Sequence, residues 1–154
     1  MKDEIYTDIE VDSKFGKFEF ISYGHNGCIP KRIEFTTTQW PGVYNLAFGD
    51  VKENGEIDDL KISNNGDRNK ILATVLRVVD TYTNKYPERW LYFRGSTDDR
   101  TRLYRIAIGL HLEELSEKFE ILADLNGDWK FVRFCKGLNV KAFLVKRKII
   151  KFGV

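Results

Sequence analysis

Hydrophobic and polar residues alternate in three pairs of short segments, and an Asn-Gly dipeptide joins the two members of each pair. The dipeptides are Asn26-Gly27, Asn54-Gly55 and Asn126-Gly127. Alternation with a period of two is typical of a half-buried β-strand, and Asn-Gly tolerates the positive φ angles of a type I′ turn. The sequence therefore predicts three hairpins: Lys17–Tyr23 with Cys28–Thr37, Val43–Val51 with Ile57–Ser63, and Phe119–Leu125 with Asp128–Phe134.

A helical period replaces this alternation in the middle of the chain. Between Asp67 and Lys85 the apolar residues fall on one stripe, which predicts an amphipathic helix. The aromatic run Arg89–Phe93 predicts a short strand, and a second helix is expected to begin behind an N-cap at Ser96 and to end at about Lys118. A last strand, Val140–Ile150, has a basic end.

The order of these elements is four strands, a helix, a strand, a helix and three strands. It predicts an α+β fold, in which a mostly antiparallel sheet built from hairpins has two helices packed on it. The 154 residues fit a single domain, 1–154. Residues 1–14 are a candidate for a loosely ordered N-terminal segment.

Composition narrows the classes of function. The chain has 25 basic and 23 acidic residues, so any contact with nucleic acid needs a local basic patch. With neither a signal peptide nor a run of about 18 apolar residues, we expect a cytoplasmic protein that does not enter the membrane. The sequence has neither a phosphate-binding P-loop nor a Gly-x-Gly-x-x-Gly motif, so nucleotide hydrolysis by those routes is not expected. No cofactor is predicted.

Several short motifs resemble those of one protein family. They are Tyr44–Asp50 (YNLAFGD), Ser63–Asp67 (SNNGD) and Phe93–Tyr104 (FRGSTDDRTRLY). Together they resemble a family of small bacterial proteins that is catalogued as a domain of unknown function. The resemblance implies a bacterial, cytosolic protein and carries no established activity. Small stand-alone proteins of this kind are sometimes labelled toxin-like components of two-gene systems.

The segment from Arg94 to Arg105 is the best candidate for a binding site. A strand that ends at a glycine and leads into a hydroxyl-capped helix exposes backbone N–H groups, which together with the helix dipole suit an anion. Nearby arginines would add forked donors for phosphate. The candidate residues are Arg94, Ser96, Thr97, Arg100, Arg102 and Arg105. The alternative is a structural turn and cap, with Asp98 and Asp99 paired to the arginines.

Two functions from different classes follow from this segment. The first is binding of a phosphate-bearing ligand, either a nucleotide or RNA, at the start of the second helix. In its sharpest form it is a toxin-like activity on RNA, for which Arg100, Arg102, Tyr104 and His111 would suit a metal-free ribonuclease. The alternative is a non-enzymatic protein–protein interaction module that binds a small partner protein.

Metal chemistry has little support in the sequence. His25 and Cys28 form one close pair, whereas a structural zinc site usually has two, so no metal site is predicted. The run Asp124-x-Asn126-x-Asp128 resembles the start of a calcium loop, but Trp129 stands where that loop needs glycine. A hairpin turn explains the run better.

The aromatic residues admit two interpretations. Aromatic side chains among basic residues can form a stacking surface for single-stranded RNA. Most of them alternate with polar residues inside predicted strands, however, and this pattern favours a role in the core.

Overall fold

The computed structural model describes residues 4–58 and 64–149, which contain nine strands and three helices. The strands are β1 (Glu10–Val11), β2 (Lys17–Gly24), β3 (Gly27–Thr37), β4 (Val43–Val51), β5 (Ile57–Asp58), β6 (Trp90–Phe93), β7 (Phe119–Asp124), β8 (Phe131–Arg133) and β9 (Ala142–Arg147). The helices are α1 (Arg68–Lys85), α2 (Asp98–Leu110) and α3 (Leu112–Lys118). The chain is α+β with mostly antiparallel pairing, as the sequence predicts.

The chain divides into two compact units, each described here by itself. The first comprises residues up to 37 together with 45–82, and the second comprises 38–44 together with the residues from 83 onward. The prediction of a single domain stays a prediction.

In the first unit the strand order is β1-β2-β3-β4, and β5 pairs with β4. The two predicted hairpins of this unit are present. Gly27 and Gly55 have φ angles of 91° and 85°, but Asn26 and Asn54 do not have positive φ angles, so the prediction of type I′ turns is wrong. β1 pairs with β2 and was not predicted. Residues 59–63 of the predicted Ile57–Ser63 arm lie outside the described residues.

The core of the first unit lies between the buried side of strands β2 and β3 and helix α1. Phe18 and Phe20 of β2 and Ile33 and Phe35 of β3 alternate with more exposed residues, so they point to one side of the sheet. Helix α1 covers that side, and its Tyr82 stacks on Phe35 with ring centroids 3.7 Å apart. The predicted helix Asp67–Lys85 is thus confirmed to within one residue.

In the second unit the strand order is β6-β9-β7-β8. Leu91, Ala123 and Phe143 are fully buried on one side of this sheet, where Tyr104 of α2 packs edge-on against Phe93 at 6.0 Å. The opposite side carries the row Tyr92, Leu144, Leu122 and Arg133, which are direct partners across the four strands. We call this side the outer face.

The prediction of one helix from Ser96 to about Lys118 is wrong, because two helices occupy this stretch, and residues 4–58 and 64–149 contain three helices in all. The break is at His111, whose φ of −113° and ψ of 18° leave the α-helical region. Gly109 lies just before the break, and glycine lowers helix stability by about 1 kcal/mol relative to alanine.

The last two strands are shorter than predicted. β8 begins at Phe131 rather than Asp128, because Trp129 has a φ of 60° and cannot continue a strand. β9 spans Ala142–Arg147, and Ile150 of the predicted strand lies outside the described residues. No helix in the described part of the chain combines the length and the apolar character needed to cross a bilayer.

Candidate functional site

The strand β6 runs directly into the segment singled out by the sequence. Thr97, and not Ser96, is the N-cap of α2, since its hydroxyl accepts a hydrogen bond from the Arg100 N–H at 3.2 Å. The buried Thr101 hydroxyl accepts from the Gly95 N–H at 2.9 Å and donates to the Thr97 carbonyl at 3.2 Å. The predicted strand–turn–helix is therefore present, with its cap one residue later than expected.

The arginines of this segment differ in their surroundings. Arg94 and Arg102 are exposed, as are Ser96 and Thr97, whereas Arg100 and Arg105 are half-buried. The Arg105 guanidinium donates to the Leu138 carbonyl and to Asn139 Oδ1, both at 3.4 Å, and so ties α2 to the loop before β9. Arg94 and Arg102 are therefore the two arginines of the predicted set that are exposed to solvent.

Two acids share the same helix start. Asp98 and Asp99 occupy the first turn of α2 and are exposed. Their charges complement the helix dipole and lower the positive potential that an anion would meet there. The helix start is thus a weaker anion site than the arginine count suggests.

A cluster of aromatic rings lies beside this segment. We call Trp40, Tyr92, Trp129 and Phe131 the aromatic cluster. Trp129 stacks on Tyr92 at 5.0 Å with an interplanar angle of 14°, and it contacts Trp40 and Phe131, each at 5.4 Å. Trp40 is 47% exposed and Trp129 is 40% exposed. The core prediction holds for Phe18, Phe20 and Phe143, but these two tryptophans stand at the surface.

A buried carboxylate sets the position of Trp129. Asp124 is 1% exposed at the end of β7, and its carboxylate accepts backbone N–H groups from Asn126 at 3.2 Å, Gly127 at 2.9 Å and Trp129 at 3.2 Å. These bonds fold residues 124–129 into a tight turn that brings the Trp129 ring onto Tyr92. The interpretation of this run as a hairpin turn is confirmed.

The register places the aromatic cluster at the end of the sheet where α2 begins. Phe93 pairs with Phe143, and Asp124 pairs with Ala142, the next residue along β9. β6 therefore leads into Arg94, and β7 leads into the turn that contains Trp129, at the same end of the sheet.

Farther along the outer face, a lysine lies over another tryptophan. The Lys146 Nζ atom is 5.5 Å from the Trp90 ring centroid. Trp90 precedes Tyr92 by two residues on β6, and Lys146 follows Leu144 by two on β9, so both belong to the outer face. The face also carries Arg133 and one exposed acid, Glu120, which pairs with Lys146 across the strands.

The first unit contains a polar network that the sequence did not indicate. The hydroxyls of Tyr6 and of fully buried Ser22 both donate to Asp67 Oδ2, and the Asn65 amide donates to the Ser22 hydroxyl at 3.0 Å. Burial raises the pKa of the Tyr6 phenol, and its hydrogen bond to Asp67 raises that pKa further. The network joins the start of α1 to β2.

A cavity of about 460 Å³ opens beside Tyr6. Its lining includes the carboxyl groups of Asp8, Glu10 and Glu19 and a single cation, Lys70, whose Nζ lies 4.3 Å from the Tyr6 ring centroid. Three carboxylates against one ammonium repel a phosphate, so this cavity is not an anion site.

The residues considered for metal binding or catalysis are dispersed. The His25 ring lies against Gly66, and His111 lines a shallow cavity with Glu113, Glu114 and Glu117. Tyr104 is occupied in packing against Phe93. Within residues 4–58 and 64–149, no group of three or more His, Cys, Asp or Glu side chains is arranged to hold a metal ion.

Folding is expected to be independent of metal and of disulfides, since Cys28 and Cys135 are both exposed free thiols. Addition of a chelator or of a reductant should shift the melting temperature by less than about 2 °C, which corresponds to less than about 1 kcal/mol. Loss of a native disulfide typically costs about 2–5 kcal/mol. A drop of many degrees in either thermal melt would contradict the prediction.

Comparison with known proteins places the chain in one family. No curated protein and no solved structure matches it. The model of a family of unknown function, DUF6934, matches residues 2–148. This chain therefore belongs to the DUF6934 family.

Proposed function

We propose that this protein binds a phosphate-bearing ligand, a nucleotide or RNA, with a base stacked on the aromatic cluster of the second unit. The observation that carries the proposal is the exposure of Trp40 and Trp129, at 47% and 40%, within a cluster in which Trp129 is already stacked on Tyr92. Stacking of a base on an aromatic side chain is worth about 1–3 kcal/mol, and every base has a face suited to it.

Rigid positioning supports this proposal. Three hydrogen bonds to Asp124 and the stack on Tyr92 hold the Trp129 ring in place before any ligand arrives. A base that stacks on a fixed ring loses less free energy to ordering of the protein than one that must immobilise a mobile side chain.

The candidate anion residues complete the site in this proposal. Arg94 is exposed and follows β6 at the same end of the sheet as the aromatic cluster. In this proposal it contacts the phosphate of a stacked nucleotide. Arg102, Ser96, Thr97 and the backbone N–H groups of the first turn of α2 offer further donors. Asp98 and Asp99 keep the affinity modest and make it sensitive to salt.

A toxin-like component that acts on RNA is the most specific form of this function. It would need a general acid or base beside the bound phosphate. Because Tyr104 packs against Phe93 and His111 stands among glutamates, the proposal concerns binding and names no catalytic residue.

Binding is tested by titrating the protein with mononucleotides and with short RNAs at low salt while following tryptophan fluorescence. Trp129→Leu is expected to weaken binding about tenfold, since one stacking contact is worth about 1.4 kcal/mol. Arg94→Ala should weaken binding and reduce its salt dependence, and Arg100→Ala and Arg102→Ala test the helix start. Tyr23→Leu, which alters an exposed aromatic residue of the first unit, is the matched control.

Two outcomes would reject this assignment. If a ligand binds and neither Trp129→Leu nor Arg94→Ala weakens it, the site lies elsewhere. If no nucleotide or RNA binds, the alternative of a non-enzymatic interaction module is the better one. That alternative is favoured by Ile106 and Leu110, which lie four residues apart on α2 and are 44% and 74% exposed.

A further inference from the structure

We infer that the ligand of the outer face is a single strand of nucleic acid that spans at least two bases along β6, rather than a mononucleotide or a duplex. The inference rests on the proposed function and specifies its ligand. It is carried by a second aromatic platform on the same face, formed by Trp90 with Lys146.

The two platforms are spaced for a strand. Trp90 and Tyr92 are separated by one residue on β6 and project from the same face, so their side chains are roughly 6.7 Å apart along the strand. Stacked bases in a duplex rise by only about 3.4 Å per step. Trp129 covers Tyr92, so the base of the first platform stacks on Trp129 beside the Tyr92 row, and the base of the second stacks on Trp90 one row away. We expect such bases to be separated from each other, a geometry that an extended single strand can adopt and a duplex cannot.

Charge on the outer face favours a backbone that crosses it. Lys146 stands over the Trp90 ring, where it can contact the phosphate that links a base on Trp90 to the next nucleotide. Arg133 lies in the row of Tyr92, and Lys130 is in the turn beside Trp129. Glu120 and Asp128 oppose these three cations, and the buried Asp124 carboxylate accepts backbone N–H groups of the turn. The accessible part of the face therefore has a small basic excess, and the salt dependence of binding should correspond to few phosphate contacts.

The surroundings of the outer face agree with a ligand of this kind. On this face Trp90, Tyr92, Leu144 and Lys146 are half-buried and Arg133 is exposed, whereas Ala142 at the end of β9 is buried, as are Leu91, Phe143 and Val145 on the other side. An open sheet face that carries aromatic and basic side chains is a recurrent platform for unpaired RNA bases. Single-stranded sites combine such aromatic platforms with a basic track along the backbone.

The inference is tested with fluorescein-labelled oligouridylates of two, four and eight nucleotides, with UMP as the single-nucleotide competitor. At low salt the tetranucleotide is expected to bind at least about tenfold more tightly than UMP, because a second base adds one stacking contact. Trp90→Leu should remove this gain and leave the affinity for UMP within about twofold, whereas Trp129→Leu should weaken both ligands by about tenfold.

Lys146→Gln provides a second variant in which both platforms remain. It should weaken the tetranucleotide, leave UMP unchanged and lower the salt dependence of oligonucleotide binding by about one phosphate contact. Oligodeoxyuridylate and an RNA duplex serve as competitors. Displacement of the labelled oligouridylate by oligodeoxyuridylate supports the inference. Comparison of the affinities of oligouridylate and oligodeoxyuridylate shows whether the face prefers ribose or deoxyribose.

Three results would overturn the inference: an octanucleotide that binds no more tightly than UMP, a duplex that competes as well as the single strand, or a length dependence that survives both Trp90→Leu and Lys146→Gln. If UMP binds through Trp129 and longer oligonucleotides bind no more tightly, the inference of a single-stranded ligand is wrong while the proposed function stands. If neither UMP nor an oligonucleotide binds, both fail.

Discussion

Replacement of Asp50 with alanine is expected to lower the free energy of unfolding by about 3–5 kcal/mol. The Lys31 ammonium of β3 forms a salt bridge with the Asp50 carboxylate of β4, and the two side chains are only 5% and 8% exposed. Removal of the carboxylate takes the partner of this salt bridge away from a buried ammonium, and desolvation of such a charge is expensive. Urea denaturation followed by circular dichroism at neutral pH measures the loss.

The double variant Lys31→Met with Asp50→Ala is the control for this prediction. Methionine matches lysine in volume and alanine avoids overpacking at position 50, so removal of both charges should recover most of the stability that Asp50→Ala alone loses. A loss below about 1 kcal/mol for Asp50→Ala alone would show that the pair behaves as an exposed one and would contradict the prediction.

Gly95→Val is expected to destabilise the second unit by about 3 kcal/mol. A Cβ atom at position 95 would lie 2.3 Å from Arg100 Cβ and 2.4 Å from the Thr101 backbone nitrogen. Both atoms belong to the first turn of α2, which the Thr97 cap and the Thr101 hydroxyl hold in place. The turn would have to move away from β6, and these bonds would lengthen or break.

A second glycine of the same segment gives the matched control. Gly109 lies inside α2, and the nearest atom to a Cβ there would be Lys136 Cγ at 3.8 Å, an ordinary contact. Gly109→Ala should therefore raise stability, by up to about 1 kcal/mol, through better helix propensity. Equal denaturation midpoints for Gly95→Val and the parent protein would contradict the close approach of β6 and α2.

The hairpins and the first helix were predictable because local periodicity and turn chemistry determine them. The burial of Lys31 was predictable in the same way, since this residue falls in step with Ile33 and Phe35 on β3. A charged residue in step with a buried row signals an inward ion pair.

Local sequence patterns could not predict the aromatic cluster. Trp40 precedes β4 and Trp129 follows β7, and their contact depends on the order of strands in the sheet, which short-range periodicity does not specify. In β6, both sides of the strand carry aromatic residues, so alternation could not tell the outer face from the buried one. The strand–turn–helix that carries the candidate anion residues was predicted and is present. The exposure of each arginine was not predictable, because it depends on contacts distant in sequence, such as that of Arg105 with Asn139.

Trp129 has a left-handed backbone, with a φ of 60°, and this conformation has a cost in strain. An L-residue there is less stable than glycine by roughly 1–2 kcal/mol, and asparagine or aspartate would also tolerate the position better. The three N–H bonds to Asp124 hold the turn in this shape, yet they would hold a glycine equally well. The chain thus forgoes backbone stability at position 129 to keep the largest side chain available, as expected where the ring itself has a task at the surface.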